Sequence, residues 1–362
     1  MPSRRVSLHP ADQASRSGSR NPCDPAGKSA VLNTVATPLI EILLATYNGE
    51  GFLREQIDSL LAQTYPNLRI IARDDGSSDG TRDILEAYAL QHAERFHLLP
   101  ADAGTGNAKW NFLRLMEAST APFVALADQD DFWLPDKLRL SMEAMQLLQQ
   151  AHGAADPLLV FTDLTVVNRD LEVIHPSFWR HQHIEAERIV NLPHLLAQNV
   201  VTGCTALLNR ALVQQSLGMP AKAFMHDWWI ALNASVFGHA RAIPVPTMLY
   251  RQHENNAVGA VIHGRRRFWP RLRWHHLRRA QWEMSAQQAE AFLAVYRDQL
   301  PADKRRILEA YVRCETSPNR LVRVGTYLRY RFFQKGLRPN LAMLWYLWDM
   351  KAAKRASALG EA

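Results

Sequence analysis

The chain has 362 residues, room for about two or three domains, and 47% of them are hydrophobic, which excludes a disordered protein, a collagen-like fibre and a small disulfide scaffold. Its three cysteines (Cys23, Cys204, Cys314) stand far apart with no CxxC pair, so neither a disulfide framework nor a zinc ribbon is expected, and a reducing cytoplasm suits the pattern. The net charge of +7 is uneven: residues 261–362 carry 21 Lys and Arg against 8 Asp and Glu, the first 260 carry 21 against 27. That split predicts a mildly acidic body that does chemistry and a basic appendage that meets an anionic surface.

Residues 1–36, rich in Ser, Arg, Pro, Gly and Ala, read as a disordered tail. Arg4 and Arg5 are followed by polar residues, so no secretory signal is expected. From Leu39 to Thr46 a nearly continuous apolar run has the character of a strand buried on both faces. Leu53, Ile57, Leu60 and Leu61 follow helical spacing, which predicts a helix over 51–64 that Pro66 stops. Strands at 68–73, 96–99 and 122–127 then alternate with helices around 81–91 and 107–116. This alternation predicts parallel βαβ units: an α/β fold with a mixed, mostly parallel sheet flanked by helices. A helix over 135–150, a strand over 158–167 and mixed elements to about 259 complete the body. From 263 onward the chain reads as helical and basic, with five of the ten tryptophans. Its most apolar stretch, Leu341 to Trp348, is well short of the ~18 residues of a spanning helix.

In an open α/β sheet, ligands bind beyond the carboxyl ends of the strands. Three polar clusters fall there: Thr46-Tyr47-Asn48, Asp74-Asp75-Gly76-Ser77 and Asp128-Gln129-Asp130-Asp131. Three carboxylates within four residues repel one another unless a cation neutralises them, and hard oxygen ligands suit Mg²⁺ or Mn²⁺ shared with substrate phosphates. The second cluster has two readings. From Asp75, the positions Asp79, Gly80, Asp83 and Glu86 mimic a calcium loop, but the preceding segment reads as a strand and Arg82 fills an apolar position. The other reading is a strand-end carboxylate that binds a base or ribose, with a Gly/Ser turn opening a helix whose amino end favours anions. Asn48-Gly49-Glu50-Gly51 starts a glycine-rich loop, yet Arg54 breaks the GxGxxG pattern of a dinucleotide site.

The segments ATYNGEGFLREQIDSLLAQTYPNLRIIARDDGSSDGT, ALADQDDFWLPDKL, TGCTALLNR, MHDWW and YRQHENN follow in this order over about Pro38 to Ala260. They closely resemble bacterial family 2 glycosyltransferases of the GT-A fold, and among these the rhamnosyltransferase-like enzymes of O-antigen and other surface-polysaccharide pathways. The resemblance implies a nucleotide-sugar site formed by Thr46, Tyr47, Asn48, Asp74, Asp75, Asp128 and Gln129, with Asp74 reading the pyrimidine and Asp128 nearer the ribose. Lys109 and Asn111 are expected to face the nucleotide as well. Asp130 is implied as the direct contact of Mg²⁺ or Mn²⁺, with His253 meeting the metal or diphosphate. Asp131 is expected toward the sugar. Gly203, Cys204, Thr205 and Trp228 are expected around donor sugar and acceptor, with Cys204 a packed residue rather than a nucleophile. Asp227 matches the catalytic base, which takes the acceptor hydroxyl's proton as that oxygen attacks the anomeric carbon.

The expectation is therefore a metal-dependent, inverting transferase over residues 37–262 and a basic helical region over 263–362. The donor is expected to be a dTDP-deoxysugar such as rhamnose, or else a UDP-sugar, and the acceptor a glycan or lipid-linked glycan. Two rivals stand beside it. A sugar nucleotidyltransferase would carry GxGxR after the first strand, which TYNGEGF does not supply; a non-catalytic binding module would use the calcium loop. In the basic region, Arg265 to Trp274 mixes arginines with aromatics. Such a stretch suits the anionic inner face of a membrane, and less well a nucleic acid.

Overall fold

Burial on both faces makes β1 (Ile40–Thr46) the axis of the protein: all seven of its residues are buried. Its alternate side chains feed two separate cores, Leu43 and Ala45 on one side of the sheet and Ile40, Ile42 and Leu44 on the other. The computed structural model describes residues 37–182, 184, 191–253, 271–334 and 336–349, with side chains from 282 onward in the helix that begins at 271. The expected tail at 1–36 and the side chains of the basic aromatic stretch at 265–279 lie outside the described residues.

After β1 come α1 (Leu53–Leu61), β2 (Leu68–Asp74), α2 (Thr81–Gln91), β3 (Phe96–Leu98), α3 (Ala108–Ala118) and β4 (Phe123–Asp128), within a few residues of the expected bounds. Asn107 caps α3 by accepting the Lys109 N–H (3.0 Å), an orphan donor of its first turn. The remaining elements are β5 (Phe132–Trp133), α4 (Lys137–His152), β6 (Leu158–Val167), β7 (Val173–His175), α5 (Phe178–His181), α6 (Leu192–Ala197), β8 (Ala206–Asn209), α7 (Arg210–Ser216), α8 (His226–Phe237), β9 (His239–Arg251), α9 (Arg271–Tyr296), α10 (Ala302–Thr316), α11 (Arg320–Tyr330) and α12 (Leu337–Asp349).

The strands form one mixed sheet in the order β3-β2-β1-β4-β8-β6-β9-β5, with β7 on β6. Its first half is parallel, as expected from the βαβ units; beyond β4 the pairing turns antiparallel at β8 and is mixed thereafter. The two-residue β5 pairs Phe132 with Leu249 and Trp133 with Met248, bringing the segment after β4 against the end of β9. Pro244 and Pro246 interrupt β9 where its register with β6 shifts, because proline cannot donate to a ladder. The C-terminal helices share the core of α8: Trp229 meets Phe292 edge-on (5.1 Å) and stacks on Tyr296 (5.6 Å). Among the described residues, no helix is long and apolar enough to cross a membrane.

Candidate active site

The parallel half of the sheet lines up the expected nucleotide residues at adjoining strand ends. Thr46 pairs with Asp74 in register, and its hydroxyl donates to the Arg73 carbonyl (3.2 Å). Asp74 accepts from the Ser77 N–H (3.1 Å) and hydroxyl (2.5 Å), closing the turn that follows β2. Asp75 accepts from Arg73 Nη1 (2.7 Å) and from the Thr105 N–H (2.6 Å) and hydroxyl (2.9 Å). Burial pushes the Asp75 carboxyl up, but these donors and the guanidinium charge outweigh it and hold the group below the ordinary carboxylate value. Asn111 accepts from Arg73 Nη1 (3.0 Å) and donates to the Thr46 carbonyl (3.2 Å), so it braces β1 against β2.

Asn48 adopts the left-handed conformation (φ 49°) and bridges the turn, taking the Ser78 N–H (2.8 Å) while its own N–H donates to Ser77 Oγ (2.8 Å). The Gln129 amide pairs twice with the Tyr47 backbone, accepting its N–H (2.7 Å) and donating to its carbonyl (2.9 Å). A Cβ on Gly49 would fall 2.3 Å from Gln129 Oε1, so the clamp requires glycine there. The Tyr47 ring is left exposed beside it. Lys109 turns elsewhere: its ammonium donates to the carbonyls of Ala221 (3.0 Å) and Ala223 (2.6 Å), tying α3 to the loop before α8.

The second centre is acidic. Asp128 at the end of β4, Asp131 before β5 and the Cys204 thiol place their donor atoms within 4.8 Å of one another. Burial, and then the Asp130 and Asp227 charges, push the Asp128 carboxyl up to about 7. Asp131 is fully buried and raised well above the ordinary value by burial and by Asp130 and Asp128. One of its oxygens accepts the Arg251 N–H (3.3 Å); the other, Oδ2, has no hydrogen-bond partner among the described residues beyond the neighbouring Cys204 thiol. A buried carboxylate oxygen left in this state is costly, and a cation is what its neighbours would accept. Oxygens of Asp128 and Asp131 fit a hard divalent ion. The thiol beside them is held protonated by burial and by both carboxylates, so Cys204 sits there as a packed neutral group. Lys137, buried with its ammonium over the Trp133 ring (4.5 Å), feels Cys204 and Asp131 but is pulled down to about 8, chiefly by burial. Asp130 points instead to His253, whose Nε2 lies 2.8 Å from Oδ2.

Asp227 stands in the first turn of α8, close enough to Asp128 to raise its proton affinity. Burial pushes Asp227 itself up to about 6 against hydrogen bonds from the Trp228 N–H (2.6 Å), the Gly203 N–H and the Asn199 side chain. A Cβ on Gly203 would sit 3.0 Å from His226 Nε2 and 3.5 Å from Asp227 Cβ, so the backbone there lies close against the start of α8. Thr205 is buried, its hydroxyl on the Thr202 carbonyl (2.7 Å). Trp228 lies in the core and spends its indole N–H on the Leu195 carbonyl (2.7 Å), which makes it an anchor for α8.

Two arginines of this site escaped the sequence reading. Arg73 is a charge inside an apolar strand beside DDG, a weak signal in hindsight. Arg251 is buried and donates to the Asp130 carbonyl (2.9 Å), Glu55 Oε2 (2.6 Å) and the Arg169 carbonyl. It also covers the Phe52 ring (4.6 Å), on which His253 stacks (4.9 Å). Arg251 thus clamps the acidic segment to α1 and to the β6–β7 turn. The calcium-loop reading fails here: β2, a strand, enters the loop, Asp75 is taken by Arg73 and Thr105, and Asp79 by the N–H groups of Thr81 (3.0 Å) and Glu50 (3.2 Å).

Residues 41–214 match the family described as glycosyl transferase family 2. This stretch, just under half of the chain, is similar to family 2 glycosyltransferases. Its mixed sheet, parallel from β3 to β4 and flanked by helices, is the α/β architecture expected from the βαβ units. The match contains every expected site residue up to Thr205, while Asp227, Trp228 and His253 lie beyond it. The chain is similar to the dTDP-rhamnosyl transferase RfbG of Shigella flexneri, 27% identical over 230 residues that cover 60% of this chain and 74% of that protein. It is also similar to TuaG of Bacillus subtilis, named for teichuronic acid biosynthesis, 34% identical over 108 residues covering 30% of this chain and 42% of that one. Among solved structures, the mannosyltransferase PcManGT of Pyrobaculum calidifontis with GDP-Man and Mn²⁺ superposes with a TM-score of 0.49 at 18% identity, covering 85% of this chain and 79% of that one.

Proposed function

We propose that this family 2 domain is a metal-dependent, inverting transferase that moves a deoxysugar such as rhamnose from a dTDP- or UDP-sugar to a glycan or lipid-linked acceptor during surface-polysaccharide synthesis, on the cytoplasmic side of the cell membrane. The catalytic domain would span 37–262, with the tail before it and the basic helical region after it. RfbG and TuaG, by their names, favour a polysaccharide pathway, and RfbG a dTDP-rhamnose donor.

The nucleotide would lie along the β1 and β2 ends, with Asp74 toward the base and the exposed Tyr47 ring beside it. Its diphosphate would reach Asp128 and Asp131, where a bound Mg²⁺ or Mn²⁺ supplies charge neutralisation for the leaving group. Asp130 and His253 close that end of the site. Asp227 would accept the acceptor hydroxyl's proton while the hydroxyl oxygen bonds to the anomeric carbon and the carbon–phosphate oxygen bond breaks. One displacement inverts the centre and uses no covalent enzyme nucleophile.

The observation that carries the reading is Asp227 itself: a carboxylate from a separate helix, pushed up to about 6, in electrostatic reach of the Asp128 site. A general base of that affinity works near neutral pH. In Asp227→Asn, turnover should fall by a factor of about 10²–10⁴ while donor affinity stays close to normal. In the native chain, turnover should rise with pH through about 6, because the base must first lose its proton. Near-normal turnover in a folded Asp227→Asn chain would remove the residue from the mechanism.

A further inference from the structure

The last two helices among the described residues carry a face that the reaction does not use. In α11, Leu321 and Leu328 stand two turns apart on one side; in α12, Leu337, Leu341, Trp345 and Trp348 recur at helical spacing on one side. All six are exposed, Leu337 at 74%, Trp345 at 55% and Trp348 at 47%. Other sides of the two helices bury Arg323, Tyr327, Met343 and Leu347. The helices run antiparallel: Arg323 Nε donates to the Leu347 carbonyl (2.6 Å) near one end, and the Tyr327 hydroxyl to Asn340 Oδ1 (2.6 Å) near the other. Across the pair, the Arg320 guanidinium lies over the Trp348 ring (4.7 Å).

Charge sharpens the chemistry. Residues 320–349 contain six Lys and Arg against a single Asp, and Arg320, Arg329, Arg331 and Arg338 are exposed. Large apolar side chains clustered on adjoining surface helices mark an interaction site. Aliphatic and indole side chains interleaved with arginines match the boundary of an anionic bilayer, where rings sit at headgroup level and guanidinium groups meet phosphates. A second copy of the chain would bring the same positive charge against itself. Nucleic acid would use the indoles for stacking but find nothing to do with four exposed leucines.

We propose that the α11–α12 face is a docking surface for an anionic lipid bilayer, with Trp345, Trp348, Leu337 and Leu341 entering the headgroup boundary and the surrounding arginines meeting lipid phosphates. This goes beyond the transferase reading and stands on separate residues, so either can fail alone.

The test is co-sedimentation of the full chain with phosphatidylcholine vesicles with or without phosphatidylglycerol. Binding should require the anionic lipid and be lost toward 1 M salt, where the screening length is ~3 Å. Trp345→Ser/Trp348→Ser should lower the partition about tenfold or more, with donor affinity and melting temperature unchanged. If that variant fails to fold, Leu337→Ser/Leu341→Ser supplies the same reading. Absence of vesicle binding overturns the proposal. So does equal binding by the native chain and a folded variant, which would assign the attraction to charge elsewhere. Self-association of the native chain that the substitutions abolish would assign the face to a second copy instead.

Discussion

Two groups of aspartates stand beside one sheet, and their protons answer to opposite forces. At the end of β2, Asp75 is buried but met by Arg73 and Thr105, and it is held below the ordinary carboxylate value. At the end of β4 and the start of α8, Asp128, Asp131 and Asp227 are pushed up by burial, Asp128 also by the Asp130 and Asp227 charges and Asp131 by those of Asp130 and Asp128. The difference separates framework from working surface. A carboxylate whose partners come from its own chain has its interactions complete. One that remains costly to ionise, with an oxygen orphaned as in Asp131, is complete only with something bound.

Breaking the satisfied side should cost the most stability. Arg73→Met leaves Asp75 buried without its cation and Asn111 without its donor, so denaturant unfolding should show a loss of about 3–5 kcal/mol. The clamp between the two sides should matter for chemistry more than for folding. Arg251→Lys cannot reproduce the fork that holds Asp130, Glu55 and Arg169, and kcat/KM should fall about 10- to 100-fold. A circular dichroism spectrum like the native one would confirm that folding survives. On the unsatisfied side the sign reverses: without divalent ions, Asp128→Asn should be more stable than the native chain at neutral pH, by about 1 kcal/mol, because it removes a charge that the fold opposes.

What could be seen in advance follows the same division. Apolar runs buried on both faces made β1 and β4 legible, and the polar residues at their ends marked the site, because both signals are local. Elements that depend on distant partners were not legible. β5 is two residues long and exists through pairing with Leu249 and Met248, more than a hundred residues away. Lys109 and Trp228 carry side chains suited to ligands, yet carbonyls of Ala221, Ala223 and Leu195 occupy them. Arg251 stood in the YRQH segment, but its role depends on α1 and the β6–β7 turn folding against the acidic segment. Residue type announces chemistry; only the fold shows whether that chemistry is already spent.

Thermal melting with and without Mn²⁺, at about pH 5 and about pH 8, tests the central claim that the acidic centre is completed by a cation. Asp128, Asp131 and Asp227 have folded values above the unfolded one near 4, so the ion-free fold loses their stabilisation as pH rises above that value, through about 6 for Asp227 and 7 for Asp128. A cation binds the ionised form and stabilises the fold by mass action. Mn²⁺ should therefore raise the melting temperature by several degrees at pH 8, far less at pH 5, and hardly at all in Asp128→Asn. A rise that is absent at pH 8, or that persists unchanged in Asp128→Asn, would contradict the account.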